Sequence, residues 1–332
     1  MAIPGDTRQT YSAVQIREDL SNIIYNISPT DTPFISGAGR GTASNTLFQW
    51  QKDSLAAQAV NRKMEGDNPT NDAVVEPVLL NNHTQISVKA IQTSGTAEAV
   101  DFAGRKSSQA YRMAKAAKEL KRDMEFMLTG ETVKAPGSAV PAARVTGELM
   151  TWLGTAAIGT SNIVDGSAGG TTGVGIVNAG TGTSKAAPAG ADAVLHMDMV
   201  NNCIERIFNA GGEPDVIMCD SSLKVKMSAL AGSTVADIVT NHDKASPATS
   251  INSVDVIVTD FGTYKIVPNR FCLPNQLYVL DYDFWSVDYL RPFSTQNLAK
   301  TGDSIQQMML AEYGLRGKNG QASGAVIGVK AA

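Results

Sequence analysis

The segment spanning residues 102–128 carries the pattern that most constrains how this chain can fold. Apolar residues recur in it at spacings of 3, 4, 3, 4 and 3 residues, which places them on one face of an α-helix. At about 1.5 Å per residue the predicted helix is roughly 40 Å long, and Gly130 provides a stop just past its end. The predicted buried face consists of Ala110, Met113, Ala117, Leu120, Met124 and Met127. We therefore expect a fold organised around one long helix.

The other faces of this helix concentrate positive charge within an acidic protein. The segment holds seven basic and three acidic residues, which gives +4, while the remaining 21 basic and 29 acidic residues give −8. Clustered cations suit non-specific contact with DNA phosphates, or contact with an acidic neighbouring subunit. Equally, they can form a solvated face whose long stems cover apolar surface. The candidate residues for a DNA-facing or inter-subunit role are Arg112, Lys115, Lys118, Lys121 and Arg122.

An unusually long loop is predicted in the first third of the chain. Residues 46–50 and 83–89 have the alternation and β-branched content of strands. About thirty mostly polar residues separate them, whereas most hairpin loops take about 2 to 5 residues. A loop of this length with a charged tip typically reaches another molecule. We therefore predict inter-subunit contacts by Arg62, Lys63, Glu65 and Asp67 near its tip.

The remaining segments predict a mixed α+β fold. A polar arm leads into residues 14–27, which have near-helical apolar spacing, and residues 155–191 are rich in Gly, Thr, Ser and Ala, typical of a flexible loop. Further helices are predicted at 192–209 and 221–230, and strands at 214–219, 254–258, 263–267, 276–280, 284–290, 306–314 and 325–330. This order lacks the regular βαβ repeat of a doubly wound nucleotide-binding protein.

Composition and isolated motifs favour a protein without catalytic equipment. Charged residues make up 18% of the chain, against about 25% in typical domains, which fits a surface largely covered by other subunits. Asp281 and Asp283 fall on one face of a predicted strand but lack the Gly and Glu partners of a calcium loop. The histidines, none at metal-ligand spacing, are His83, His196 and His242. We therefore predict no metal and no cofactor.

Cysteine usage and hydropathy indicate where the protein is made. Cys203, Cys219 and Cys272 are widely separated and include no Cys-x-x-Cys pair, which is typical of reduced thiols in an intracellular protein. No apolar run approaches the roughly 20 residues needed to cross a bilayer, and the N-terminus lacks an apolar signal core. We expect synthesis and assembly in a cytoplasm, without a membrane partner.

The sequence Cys219-Asp-Ser221-Ser is the one stretch that resembles a nucleophile site. It follows a predicted strand, so a hydrolase using Cys219 or Ser221 with a histidine is the alternative from a different functional class. No Gly-x-Ser-x-Gly elbow surrounds it. The simpler interpretation is the end of a strand whose Asp or Ser caps the next helix.

Four short motifs resemble the opening of the major head proteins of tailed bacteriophages. They are Ser28-Pro-Thr-Asp-Thr-Pro-Phe34, Gly37-Ala-Gly-Arg40, Phe48-Gln-Trp50 and Asp53-Ser-Leu55. The family they resemble is the one named for phage SU10, whose shells use the Hong Kong 97 capsid fold. The order of predicted elements extends this similarity over the whole chain.

The resemblance implies a division of the chain into the parts of that fold. Residues 1–38 would form an N-terminal arm, 39–95 an extended loop, and 96–148 a peripheral domain containing the long spine helix. Residues 149–268, including the Gly-, Thr- and Ser-rich stretch 155–191, would form most of an axial domain. Residues 269–332 would supply strands that return to the peripheral domain.

The resemblance also implies a function and a set of partners. The chain would self-assemble into hexamers and pentamers of an icosahedral head that encloses double-stranded DNA, with a portal protein and, in some heads, a decoration protein. Because the recognisable arm starts almost at Met1, we expect a separate scaffolding protein. Lys63 lies near the loop tip, but no motif carries over the covalent crosslink of the founding fold, so we expect non-covalent shells. An encapsulin-like compartment is the alternative within the same fold.

Overall fold

The computed structural model describes residues 30–56, 58–66, 68, 76–100, 107–138, 142–154, 161–168, 178–233, 255–300 and 302–332. Its helices are α1 (Pro33–Gly37), α2 (Gly95–Ala99), α3 (Ser108–Leu128), α4 (Leu149–Trp152), α5 (Met197–Asn209) and α6 (Ser221–Ser233). The strands in the first half of the chain are β1 (Gly39–Thr42), β2 (Leu47–Lys52), β3 (Val78–His83), β4 (Gln85–Ser94) and β5 (Ile163–Asp165). Those in the second half are β6 (Ala193–Val194), β7 (Val216–Cys219), β8 (Val256–Thr259), β9 (Gly262–Pro268), β10 (Gln276–Leu280), β11 (Trp285–Asn297), β12 (Ser304–Gly317), β13 (Gly324–Ile327) and β14 (Val329–Lys330). The predicted helix at residues 14–27 lies outside the described residues.

The long helix α3 packs against a four-stranded sheet of order β1-β11-β12-β4. It spans 21 residues, or about 31 Å, and begins where the Ser107 hydroxyl accepts a hydrogen bond from the N–H of Ala110. Its buried apolar face consists of Met113, Ala116, Leu120, Met124 and Leu128. The prediction of Ala110 on this face was wrong: Ala110 is exposed, because the helix is rotated toward the side of Ala116 and the sheet covers only part of its circumference.

A six-stranded sheet of order β5-β13-β10-β7-β9-β8 forms the second layer of the fold. The neighbours β13 and β5, and also β7 and β9, run parallel, whereas the other pairs are antiparallel. Helix α5 covers it with Val200, Cys203, Ile204 and Ile207, all essentially inaccessible to solvent. This second core therefore forms from elements that lie mostly after residue 160.

Part of the glycine-rich stretch was wrongly predicted to be a flexible loop. Residues 161–167 are all buried, because β5 pairs with β13 and Asn162 donates its amide to the backbone oxygens of Gly320 and Ser323. Residues 155–160 and 169–177 of the stretch lie outside the described residues. The low-complexity composition thus hides one edge strand of the six-stranded sheet.

The predicted strand at residues 83–89 is in fact two strands. Chain direction changes at Thr84, so that β3 pairs with β2 in a separate two-stranded ladder while β4 pairs with β12. The Thr84 hydroxyl donates to the buried carboxylate of Glu312 (2.9 Å), which fixes this joint. The hairpin β2–β3 therefore projects from the four-stranded sheet as a distinct arm.

Candidate assembly surfaces

Helix α1 is held in place by a buried carboxylate on the long helix. The N–H groups of Phe34 and Ile35 donate to the two oxygens of Glu125 at 2.7 and 2.9 Å, and the Asn269 amide donates to the same carboxylate at 2.7 Å. Pro33 begins this helix at a position that needs no N–H donor. Burial raises the pKa of Glu125 against these hydrogen bonds. Pro33 and Phe34, which end the motif that begins at Ser28, thus hold the N-terminal arm against α3.

Aromatic rings and glycines also contribute to the contact between the N-terminal arm and the rest of the subunit. The Phe34 ring packs between Tyr282 and Trp285, with centroids 6.2 and 6.3 Å away. A side chain at Gly37 would meet the Tyr282 ring at 2.7 Å, and one at Gly41 would meet the Asp288 carboxylate. The absence of side chains at Gly37 and Gly41 therefore allows the backbone to lie directly on β11 and on the turn that precedes it.

The root of the hairpin is anchored by the Phe-Gln-Trp motif. Phe48 and Trp50 alternate inward along β2 and are buried, and the Trp50 indole N–H donates to Gly317 O at 3.0 Å. Trp50 also packs against Trp152 (centroids 5.2 Å apart), while the Arg316 guanidinium lies 5.6 to 5.8 Å from the Phe48 and Trp50 rings. This cluster ties β2 to the end of β12.

Hydrogen bonds of polar side chains hold β3, the second strand of the hairpin. The Lys134 ammonium donates to Asn81 O, Asn81 Oδ1 and Thr181 O at 2.7 to 2.8 Å. The Asn82 amide, fully buried, donates to Leu315 O at 2.6 Å and accepts from Gly147 N–H at 2.8 Å. Partial burial lowers the pKa of Lys134. The hairpin therefore leaves the subunit at a fixed angle from a rigid root.

The outer part of the hairpin contrasts with its root. Arg62, Lys63 and Glu65 are exposed, as predicted for the tip, and Asp67 lies outside the described residues. Large apolar side chains of the same segment are also exposed: Leu55 by 98%, Met64 by 83% and Val60 by 78%. Because apolar side chains exposed to this degree are stabilised only when something covers them, this segment has the composition of a contact surface.

The basic residues of α3 divide into two groups. Arg112, Lys115 and Lys118 are exposed, and Lys115 forms an ion pair with Glu119 at 3.7 Å. Lys121 and Arg122 are half-buried, and neither forms an ion pair with another described residue. With about 3.6 residues per turn, Lys115, Lys118 and Arg122 lie opposite the buried face. The structure thus brings most of the predicted cations together on the outer side of the helix.

A buried ionic cluster at the hairpin joint was not predicted from the sequence. The Glu312 carboxylate, 3% exposed, accepts from Arg144 Nη2 at 2.5 Å and from Arg291 Nε at 2.8 Å. Arg144 also donates to Thr84 O at 3.2 Å. The partners lie far apart in sequence and no spacing marks them, so only the fold shows that they meet.

A third buried carboxylate, that of Glu148, lies near the end of α3. Glu148 accepts from the Thr132 N–H at 2.7 Å, and its own N–H donates to Thr132 O at 3.0 Å. Burial, together with the nearby negative charge of Glu131, raises the pKa of Glu148 from its ordinary value of 4.5 to about 7. The protonation state of this joint therefore changes near neutral pH.

This carboxylate predicts a pH dependence of stability. Because the folded pKa lies above the ordinary one, the stabilisation from proton binding is complete below about pH 4.5 and is lost as the pH rises through about 7. We expect Glu148 to lower the free energy of unfolding by about 3 kcal/mol between those limits. Urea unfolding of unassembled subunits across this range should show Glu148→Gln flattening the profile, with Glu119→Gln, at a half-buried surface carboxylate, as the control. Parallel profiles for Glu148→Gln and the unsubstituted chain would contradict the assignment.

The candidate nucleophiles Cys219 and Ser221 lie at the end of β7 and the start of α6. Burial raises the pKa of the Cys219 thiol to about 12, which leaves it almost entirely protonated at neutral pH. The Asp220 carboxylate accepts from the N–H and hydroxyl of Ser222 at 3.1 and 2.7 Å, and Ser221 begins α6 on the surface. These contacts agree with the capping interpretation.

The remaining sites named from the sequence have equally local surroundings. The prediction that Asp281 and Asp283 lie in a strand was wrong. Asp281 caps the 3₁₀ turn Tyr282–Phe284, which contains Asp283, and Asp281 Oδ1 accepts from Asp283 N–H. Within the described ranges, no cluster of His, Cys, Asp and Glu is arranged to hold a metal ion. Nor does any helix of those ranges have the length and apolar character needed to cross a membrane.

Known proteins similar to this chain were found by sequence and by structure. The major capsid protein of Escherichia phage Phieco32 is 29% identical over 329 residues, covering 92% of each chain. The capsid subunit of cyanophage A-1(L) has the same fold with a TM-score of 0.68 at 11% identity, over 95% of this chain and 97% of that one.

The expected α+β Hong Kong 97 capsid fold is thereby confirmed. An encapsulin of Synechococcus elongatus shares it more distantly, with a TM-score of 0.52 at 7% identity over 93% of this chain and 94% of that one. The family model of the SU10 major capsid protein matches residues 4–330. This chain therefore belongs to the SU10 major capsid protein family.

Proposed function

We propose that this phage major capsid protein builds an icosahedral head of hexamers and pentamers around double-stranded DNA, held together without covalent crosslinks. The observation that carries the proposal is the hairpin, which has a buried aromatic root and an exposed apolar outer segment. A subunit that presents Leu55, Val60 and Met64 to solvent on a rigid arm gains stability when a neighbour covers them. Self-assembly supplies that neighbour.

We assign the parts of the fold as the resemblance implies. Residues 1–38 are the N-terminal arm, 39–95 the extended loop, 96–148 the peripheral domain with its spine helix α3, and 149–268 most of the axial domain. Strands β11 and β12, within 269–332, belong to the sheet against which α3 packs, which supports their return to the peripheral domain. Strands β10 and β13 of the same stretch lie in the six-stranded sheet.

The contacts at the hairpin tip are assigned to charged and apolar residues together. Arg62, Lys63 and Glu65 are exposed next to Met64, and Asp67 follows in sequence. Opposite charges beside an apolar contact set the register between subunits more than they add affinity. We therefore assign apolar residues to the strength of the contact and charged ones to its orientation.

A separate scaffolding protein, a portal protein and a decoration protein are the further partners we propose, with assembly in the cytoplasm of the host. The test is expression of the chain with and without the scaffolding protein, followed by negative-stain microscopy, size-exclusion chromatography and denaturing gels. We expect closed particles that dissociate fully into single chains on denaturing gels. A monodisperse monomer under every condition would overturn the proposal, and DNA-free particles packed with a protein cargo would favour the encapsulin alternative.

The basic surface of α3 gives a separate prediction about DNA. Replacing Lys115, Lys118 and Lys121 with Gln removes three charges, and we expect packaging or assembly to weaken in a salt-dependent manner because exposed charges are screened within about 10 Å at 0.1 M salt. Encapsidated DNA per particle, measured at several salt concentrations, checks this. The matched control removes three exposed charges elsewhere, with Lys265, Arg270 and Lys330 changed to Gln. Equal DNA and particle yields in both variants would contradict a role for α3.

A further inference from the structure

Strand β4 forms one edge of the four-stranded sheet, and no described strand pairs with its outer side. The N–H of Gly95 donates to Asp303 O, so the odd-numbered residues of β4 bond to β12. The even-numbered residues Val88, Ala90 and Gln92 consequently direct their N–H and C=O groups to the open edge. An open edge of this length invites pairing with another extended chain.

The long helix α3 runs beside this edge and leaves a groove. The groove encloses about 350 Å³ between residues 89–92 of β4 and the side chains of Arg112, Lys115, Ala116 and Glu119. Residues of β4 line one side of this open groove and residues of α3 line the other. This shape admits a single extended polypeptide between strand and helix.

The charge around the groove is mainly positive. Arg112 donates to Gln92 O at 3.5 Å and has no ion pair with a described residue, whereas Lys115 and Lys89 pair with Glu119 and Asp123. Lys118 and Arg122 continue the positive surface along α3. The long Arg112 contact shows a guanidinium near an edge carbonyl without a strong partner.

We propose that this groove binds an extended acidic segment of a partner protein, which adds to the sheet as a strand beside β4. The proposal rests on the assembly function above and specifies the chemistry of one partner. DNA phosphates meet the cations but offer no alternating N–H and C=O groups to the edge. The exposed hairpin of a second copy carries Arg62 and Lys63 as well as Glu65, so its charge is less complementary.

Binding of a synthetic peptide to the full chain tests the proposal. The probe is a fluorescein-labelled peptide of alternating Glu and Thr, as long as β4, and anisotropy reports its affinity. We expect saturable binding that falls roughly tenfold or more in Arg112→Gln/Lys115→Gln. The control Lys265→Gln/Arg270→Gln removes the same charge from exposed positions in and just after β9 and should bind as the unsubstituted chain does. Equal loss in both variants, or equal binding of a Lys-Thr peptide, would overturn the proposal.

Strand addition is separated from simple charge attraction by removing hydrogen-bond donors. Two further peptides carry N-methyl groups on all Glu or on all Thr residues, and we expect one of them to lose binding while the other keeps it. On the protein side, Ala90→Pro removes a donor that faces only the open edge, and Ala90→Thr retains it. If neither N-methylation of the peptide nor Ala90→Pro changes the binding affinity, the strand-addition model is wrong.

Particle counts by microscopy in the same variants distinguish failure of the groove proposal from failure of the proposed assembly function. Shells that form normally while no peptide binds would overturn the groove proposal alone. Self-association of the chain that is abolished by Arg112→Gln/Lys115→Gln, with no peptide bound, would assign the groove to a second copy and would equally overturn it.

Discussion

Changing Leu55, Val60 and Met64 together to Asp is expected to abolish particle formation while the subunit remains folded. These side chains lie on the hairpin beyond its buried root and are at least 78% exposed. Each replacement should therefore change the free energy of unfolding by no more than about 0.5 kcal/mol. Covering each of them in an interface is worth about 1.5 to 3 kcal/mol, and three carboxylates in their place would add a desolvation cost.

Sedimentation velocity and negative-stain microscopy measure this outcome, and circular dichroism confirms the fold. The matched control exchanges the same three residues for other apolar ones, with Leu55→Met, Val60→Ile and Met64→Leu, and should assemble normally. If the Asp variant forms particles in normal yield, the hairpin is not the contact that holds subunits together.

Replacing Glu125 with Ala is expected to destabilise the subunit by about 3 kcal/mol, because it leaves three buried donors, from Phe34, Ile35 and Asn269, without an acceptor. Glu125→Gln keeps one acceptor oxygen and should lose less. The control Glu119→Ala, at a half-buried surface position, breaks an ion pair with Lys115 and should cost under about 1 kcal/mol. Urea unfolding of unassembled subunits gives these differences.

The same substitution should also release the arm. With α1 no longer held on the long helix, trypsin should cleave after Arg40 faster than in the unsubstituted chain, and assembled yield should fall. A Glu125→Ala subunit with unaltered stability and unaltered cleavage at this position would show that the contacts of the Phe34 ring alone hold the arm.

Local patterns predicted the elements whose burial follows a simple period. The strands β7 and β10 and the long helix α3 were found from apolar runs or helical spacing, although the exact buried face of α3 depended on where the sheet contacts it. The edge strand β5 was missed because it spans only three residues, Ile163–Asp165, within a Gly-, Ser- and Thr-rich stretch. Its burial comes from pairing with β13, more than 150 residues later.

The assembly surfaces were predictable in outline and not in their chemistry. The length of the loop indicated a projecting arm, and the sequence motifs indicated the fold family. Glu125 holds the N-terminal arm, and Lys134 and Glu312 hold the hairpin, by binding partners up to 228 positions away in sequence. No spacing rule connects residues so distant, so their roles follow only from the tertiary structure.

The order of strand pairing has a consequence for synthesis of the protein. Strand β1 pairs with β11, β4 with β12, and β5 with β13, so these three early strands each wait for a strand made after residue 284. Neither sheet is complete while the ribosome is still translating the first 280 or so residues, and such non-local topologies fold slowly. An unfinished chain therefore cannot fold into a stable subunit and cannot join the shell. Completion of translation thus acts as a quality-control step for assembly.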